Sequence, residues 1–172
     1  MFESCPALEY LHVNHGVVQS FAAGAGEVLT KLPCAFNCLI RLRLSEICLR
    51  ELDEVSGAFC LMRSSPCLHD LEIKVFNNDD SEIPAPSLEG SADVTFNHLR
   101  TVKLEGIIGT KIEMQLIKLL LAKSPMLVRM QIEPGQGDNS PQARLKVLAE
   151  LTRFRRASTE AEVVYEVDCN PV

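Results

Sequence analysis

The sequence lacks the patterns that mark several large classes of protein. No stretch reaches the roughly 20 uncharged apolar residues that a membrane-spanning helix needs, because the nearest candidate, residues 112–122, contains Glu113 and Lys118. No basic segment precedes an apolar core near the N-terminus, so a signal peptide is not expected. The net charge of −6 gives no reason to expect binding to nucleic acid or to an anionic membrane. We therefore expect neither a nucleic-acid partner nor a membrane partner.

Motifs of catalysis and of cofactor binding are also missing. There is no phosphate-binding glycine loop: the Gly24-Ala25-Gly26 segment follows no clear strand and has no lysine partner. A Gly-x-Ser-x-Gly turn that would present a nucleophilic serine is absent. The histidines are not flanked by carboxylates in the order of any triad. The sequence predicts a protein that is not an enzyme and that uses no cofactor.

The seven cysteines are odd in number and include no Cys-x-x-Cys pair. Without a secretory signal, they are expected to be reduced thiols in a cytoplasmic or nuclear protein. Cys34 and Cys38 with His12, His15 and His69 suggest zinc ligands, but their spacing matches no usual ligand pattern. We therefore predict no metal site.

A short unit recurs along the chain, and its clearest copy is Ser-Pro-Cys-Leu-His-Asp-Leu-Glu-Ile-Lys-Val at residues 65–75. Each copy begins with a small residue and proline or with Phe-Asn, and leucine-type residues follow. The leading leucines are 28 to 31 residues apart and are Leu8, Leu39, Leu68, Leu99 and Leu127. Such a period is typical of leucine-rich repeats. It predicts an α/β solenoid with about six parallel strands on one face and helices or irregular limbs on the other.

The residues between the predicted strands favour returning helices. Apolar residues at helical spacing predict a helix over residues 52–63, which ends before Pro66 because proline disfavours helical geometry in the residue before it. Thr110 and Glu113 have the spacing of a capping box, which predicts the start of another helix. These helices would cover the apolar side of the sheet.

A last helix and a last strand are predicted near the C-terminus. Ser-Pro at residues 140–141 is typical of a helix start. Leu145, Leu148 and Leu151 would form the apolar stripe of this helix. Residues 161–167 are rich in β-branched side chains and predict a sixth strand that closes the array at its C-terminal edge.

One stretch breaks the repeat. Residues 77–93 contain five carboxylates and no basic residue. Long loops are often either functional or disordered, so this loop is either a solvated insertion or a partner-binding, regulatory segment. The first strand has no polar cap ahead of it, which predicts the C-terminal part of a longer array. The predicted division is leucine-rich repeats at 1–76, an acidic polar loop at 77–95, a region at 96–168 that continues and caps the solenoid, and a tail at 169–172.

Strand alternation predicts which residues face the open side of the sheet, because successive side chains of a strand point to opposite faces. Ten candidate partner-binding residues follow: Tyr10, His12, Arg41, Arg43, Asp70, Glu72, Thr101, Lys103, Arg129 and Gln131. In consecutive parallel strands, the two arginines of the second unit would lie beside the two carboxylates of the third. These charges either neutralise one another or form a mixed-charge strip that recognises a protein partner.

Three segments follow one another in the C-terminal part of the chain: FNHLRTVKL at 96–104, LLLAKSPML at 119–127 and LTRFRRAS at 151–158, followed by AEVVY. With these segments, residues 96–167 resemble the FBD region of plant F-box/FBD/LRR-repeat proteins. Residues 1–75 resemble the last leucine-rich repeats before that region.

The resemblance implies a non-catalytic substrate-recognition part of an SCF-type ubiquitin ligase. In that family an F-box holds the ligase adaptor, and the repeats are expected to present the surface that binds a protein target. No F-box precedes the repeats in this chain, so the adaptor would be reached only through an F-box that this chain does not contain. The alternative is a stand-alone leucine-rich-repeat scaffold or binding domain, or a degenerate fragment without a ligase role.

Overall fold

The computed structural model describes residues 8–23, 36–77, 94–136 and 140–166, and these form one six-stranded sheet with four helices. Every strand is parallel to its neighbours, and the order in the sheet is the order in the chain. The predicted α/β solenoid with six parallel strands is therefore confirmed. Its strands are β1 (Tyr10–Asn14), β2 (Arg41–Ile47), β3 (Asp70–Val75), β4 (Thr101–Ile107), β5 (Arg129–Pro134) and β6 (Glu162–Tyr165).

Each of the first five strands begins two residues after its leading leucine. The carbonyl oxygen of the residue just before a strand accepts two hydrogen bonds from the next repeat. Ile40 accepts from the N–H groups of His69 and Asp70 at 2.9 and 3.0 Å, and His69 accepts in the same way from Arg100 and Thr101. The leading leucines of the second to fifth strands are at most 3% exposed. The buried leucine and the pair of backbone hydrogen bonds together hold each of these strands in register with the preceding strand.

The strands alternate between a buried face and an open face. In β2, for example, Leu42, Leu44 and Ile47 are buried, whereas Arg41 and Arg43 point the other way. The buried side chains of all the repeats join in one continuous hydrophobic cluster. Burying one leucine side chain contributes about 2 kcal/mol before conformational entropy is counted, so this cluster is the main stabilising feature.

The helices are α1 (His15–Ala23), α2 (Leu52–Arg63), α3 (Lys111–Lys123) and α4 (Pro141–Arg153). The helix predicted over residues 52–63 is confirmed, and so are the two predicted starts. Thr110 and Glu113 form the expected capping box, and the Ser140 side chain accepts a hydrogen bond from the backbone N–H of Ala143 at 3.2 Å. In the described parts of the chain, no helix is long and apolar enough to cross a membrane.

The third residue of α2 and the third residue of α3 are both buried glutamates. Glu113 Oε2 accepts hydrogen bonds from three consecutive backbone N–H groups, those of residues 108, 109 and 110, at 3.0, 2.8 and 2.9 Å. Glu54 accepts from the N–H of Cys48 at 2.6 Å and from the side-chain amide of Gln19 at 2.9 Å. Each carboxylate thus ties the turn that leaves a strand to the start of the helix that follows.

The predicted apolar stripe of α4 is wrong in two of its three members. Leu151 is buried as expected, but Leu145 is 68% exposed and Leu148 is 40% exposed. The second buried residue is Val147, which lies against Gly109: a Cβ built on that glycine would come within 2.7 Å of the valine Cγ2. The two residues that α4 buries, Val147 and Leu151, are therefore four positions apart. The packing of α4 against the rest of the fold decides which of its residues are buried, and the spacing of the leucines does not reveal it.

Most of the predicted acidic loop and the whole predicted tail lie outside the described residues. The strands on either side of the loop, β3 and β4, pair directly with each other. Asn77, at the last described position before the loop, donates a side-chain hydrogen bond to the carbonyl oxygen of Gly106 at 2.8 Å. The sheet thus runs without a break from the first repeats into residues 96–166, and the domain boundaries proposed within the chain stay predictions.

Replacing Glu113 with alanine is expected to lower the free energy of unfolding by about 2–3 kcal/mol, because three backbone N–H groups lose their acceptor in a buried place. Urea denaturation followed by circular dichroism measures the change. Glu160→Ala, which removes a carboxylate from an exposed position, is the matched control and should change the stability by less than about 0.5 kcal/mol. Equal losses in the two variants would contradict the structural role of Glu113.

Candidate functional site

All ten residues predicted for the open face lie on that face, in two rows that cross the strands. The first row, nearest the strand starts, is Tyr10, Arg41, Asp70, Thr101 and Arg129. The second row is His12, Arg43, Glu72, Lys103 and Gln131. All of them except His12 line one groove of about 410 Å³. The structure thus brings the predicted residues together, and their role in binding stays a prediction.

Asp70 ties the centre of the first row together. The Arg41 side chain donates through Nε to Asp70 Oδ2 at 3.1 Å, and the Thr101 hydroxyl donates to Asp70 Oδ1. One carboxylate on β3 therefore links side chains of the two neighbouring strands, β2 and β4. Arg41 and Asp70 lie side by side as predicted, and they form a direct ion pair.

The second row contains a looser contact, between Arg43 and Glu72. Arg43 Nε lies 3.7 Å from Glu72 Oε1, which is within the range of an ion pair but beyond that of a hydrogen bond. The same Nε atom is buried and has no hydrogen-bond partner within the described part of the chain. Since both side chains are only partly covered, we treat the contact as a screened charge pair worth a few tenths of a kcal/mol.

Lys103 pairs with two carboxylates that lie one row further along the strands. Its Nζ is 3.0 Å from Glu105 and 3.4 Å from Glu133, and Gln131 also donates to Glu133, at 3.2 Å. Sequence reasoning missed both glutamates, although the same alternation, carried two residues along β4 and β5, would have placed them on the open face. Residues 103, 105, 131 and 133 form a second tied group beside the first.

The charges around Lys103 shift two pKa values in opposite directions. The hydrogen bond with Glu105 and the nearby carboxylates raise the pKa of Lys103 despite partial burial. Burial raises the pKa of Glu105, but the hydrogen bond and the charge of Lys103, with help from Glu72 and Arg43, outweigh it and lower that pKa below its ordinary value. Both residues are therefore held in their charged forms at neutral pH.

The three remaining members of the two rows stand apart from these groups. His12 Nε2 lies 3.1 Å from the Ser45 hydroxyl. Tyr10 and Arg129 are exposed at opposite ends of the first row. The residues that line the groove use their backbone groups for pairing between strands. A partner in the groove would therefore contact mainly their side chains. Among the described residues, no three His, Cys, Asp or Glu side chains are placed to hold a metal ion.

Comparison with known proteins finds a distant relative. The chain is 25% identical over 153 residues, 80% of its length, to an F-box/FBD/LRR-repeat protein of Arabidopsis thaliana. It spans only 34% of the length of that protein. No family model matches the chain. No solved structure matches it either.

This match confirms the resemblance to plant F-box/FBD/LRR-repeat proteins, as a distant relationship. The parallel sheet of repeated strands agrees with the LRR part of that name. The repeated strands and this distant similarity are therefore consistent with each other.

Replacing Lys103 with methionine is expected to destabilise the protein by about 1 kcal/mol at pH 7, a small value because the lysine side chain is more than a third exposed and its ion pairs are screened. A carboxyl group with a lowered folded-state pKa stabilises the fold above its ordinary value of 4.5 and loses that contribution as the pH falls through the folded value. Without the lysine, the pKa of Glu105 should rise. The stability difference between wild type and variant should therefore shrink as the pH falls below about 4.5.

Urea denaturation at pH 7, 5 and 4 measures this difference. Lys118→Met is the matched control, because Lys118 is exposed on α3, away from Glu105, and makes no ion pair with any described residue. A difference for Lys103→Met that stays the same across this range would show that the lysine does not govern the ionisation of Glu105.

Proposed function

We propose that the chain is a non-catalytic protein-interaction module and that its open sheet face binds a protein target. The observation that carries this proposal is the groove, in which side chains from five parallel strands stand in register and expose arginine, tyrosine and carboxylate groups to solvent. Solenoids with such extended surfaces commonly use them for partners. Charged groups in complementary positions favour specificity and a fast encounter.

We further propose that the module acts as the target-recognition part of an SCF-type ubiquitin ligase when it is joined to an F-box. The support is the similarity to an F-box/FBD/LRR-repeat protein. In that arrangement the F-box would hold the ligase adaptor, and the groove would hold the protein to be modified. The setting would be the cytoplasm or the nucleus.

The four-site variant Arg41→Gln, Arg43→Gln, Asp70→Asn and Glu72→Gln is expected to lose target binding at least about tenfold, since it removes two cations and two anions from the centre of the groove. The net charge is unchanged, and the exposed pairs contribute little to stability. The fold should therefore survive, with a melting temperature within about 5 °C of the wild type. Affinity purification from plant cells followed by quantitative mass spectrometry compares the captured proteins.

The control variant carries the same kinds of substitution on the helices: Asp53→Asn, Lys118→Gln, Lys146→Gln and Glu150→Gln. It should capture the same proteins as the wild type. If the four-site groove variant is folded and still captures them all, the groove is not the target-binding surface.

A fusion of the chain to an F-box tests the ligase role separately. The fusion should co-purify with the ligase adaptor and should lower the cellular level of a groove-dependent target, whereas the chain alone should do neither. Unchanged target levels with the adaptor bound would favour a scaffold or binding domain without a ligase role.

A further inference from the structure

The cationic side chains of the groove differ in whether they form ion pairs with carboxylates. Arg41, Arg43 and Lys103 each have a carboxylate within 4 Å. The side chain of Arg129 is exposed and makes neither an ion pair nor a hydrogen bond with the residues that the structure describes. Its neighbour in the register, Glu162 of β6, does not approach within ion-pair distance. Among the described residues, Arg129 is thus the groove cation whose guanidinium has no partner.

Tyr10 stands at the opposite end of the same row. Its side chain is 53% exposed and makes no hydrogen bond within the described ranges. Between the two ends, Arg41, Asp70 and Thr101 are tied to one another. Tyrosine and arginine are the residue types most often found at the energetic centres of protein interfaces. The row therefore has a fixed centre and two ends that are available for contact.

The distance between these ends follows from the sheet. Tyr10 is on β1 and Arg129 is on β5, so four strand-to-strand steps of about 4.8 Å separate their backbones by about 19 Å. An extended chain advances about 3.3 Å per residue, so about six residues cover this length. The segment would cross the strands, because the inner strands of the sheet have both edges paired.

The charged side chains of the groove indicate which kind of segment would bind there. The lining of the groove contains four cations (Arg41, Arg43, Lys103 and Arg129) and two carboxylates (Asp70 and Glu72). Glu105 and Glu133, which pair with Lys103, lie one row further along the strands. Three of the four cations thus have a carboxylate partner, and Arg129 has none among the described residues. An acidic group can form a two-pronged hydrogen-bonded pair with an arginine guanidinium. The Arg129 end of the groove thus complements an acidic group better than a basic one.

We infer that the groove takes an extended acidic peptide segment of a protein target. An acidic side chain of the segment pairs with Arg129, and an apolar or aromatic side chain about six residues away packs on Tyr10. The inference rests on the proposed function and specifies the partner of the same surface. The acidic group is a carboxylate or a phosphate, since both offer the oxygens that arginine recognises.

The test uses defined 12-residue peptides built from serine, threonine and asparagine, with phenylalanine at the third position and glutamate at the ninth. Matched peptides carry glutamine or phosphoserine at the ninth position, or place the glutamate only three residues after the phenylalanine. Each is titrated into the ¹⁵N-labelled 172-residue chain and followed by NMR chemical shifts. The glutamate peptide with six-residue spacing should bind about tenfold more tightly than the glutamine peptide and the short-spaced peptide.

Two variants report on the proposed contacts. Arg129→Gln should reduce the affinity for the glutamate peptide about tenfold, to that of the glutamine peptide, and Tyr10→Ala should reduce it by a similar factor. Arg100→Gln, which removes a neighbouring exposed cation that does not line the groove, is the control and should leave the affinity unchanged. Tighter binding of the phosphoserine peptide, lost in Arg129→Gln, would support the anion contact and identify phosphate as its source.

Equal binding of the glutamate and glutamine peptides overturns the inference, and so does an Arg129→Gln variant that binds as well as the wild type. The absence of binding by every peptide at millimolar concentration overturns it as well. The four-site groove variant reports on target binding without these peptides. The failure of the peptide inference and the failure of the proposed function are therefore distinguishable.

Discussion

The carbonyl oxygen just before each of the first four strands accepts hydrogen bonds from two consecutive N–H groups of the next repeat, those of the first strand residue and of the residue before it. This contact recurs between β1 and β2, β2 and β3, β3 and β4, and β4 and β5. A slip of one residue would break the doubled bond and turn every buried side chain of that strand to the open face. The leucine ahead of each strand would also leave the core. Register is thus the constraint on which the core and the open face both depend.

On the open face, the register brings together side chains that are remote in the chain. Arg41, Asp70 and Thr101 are about 30 residues apart in the chain, yet they form one hydrogen-bonded group because equivalent positions lie side by side. Each contact is weak in water. Their sum holds side chains in fixed places across several strands, so less conformational entropy is lost when a partner binds than on a surface of mobile side chains. This is the physical basis on which a repeat sheet can serve as a recognition surface.

Carboxylates have two distinct roles in this protein, and burial separates them. Glu54 and Glu113 are buried at helix starts, where they accept backbone N–H groups and hold the helices to the sheet. Asp70 and Glu72 are partly exposed beside arginines on the open face. Substitution of the first kind should act on folding, whereas substitution of the second kind should act on binding.

The sequence by itself determined the strands, their parallel order and the ten residues of the open face, because a 28–31-residue period and a two-residue alternation are local properties of the chain. Only the tertiary structure decided which charges pair. Arg129 does not pair with Glu162, although Glu162 is its neighbour in the register, and Lys103 reaches Glu105 and Glu133 in the next row. The structure also decided that α4 buries Val147 rather than Leu145. Side-chain contacts depend on distances between residues remote in sequence, which no local pattern records.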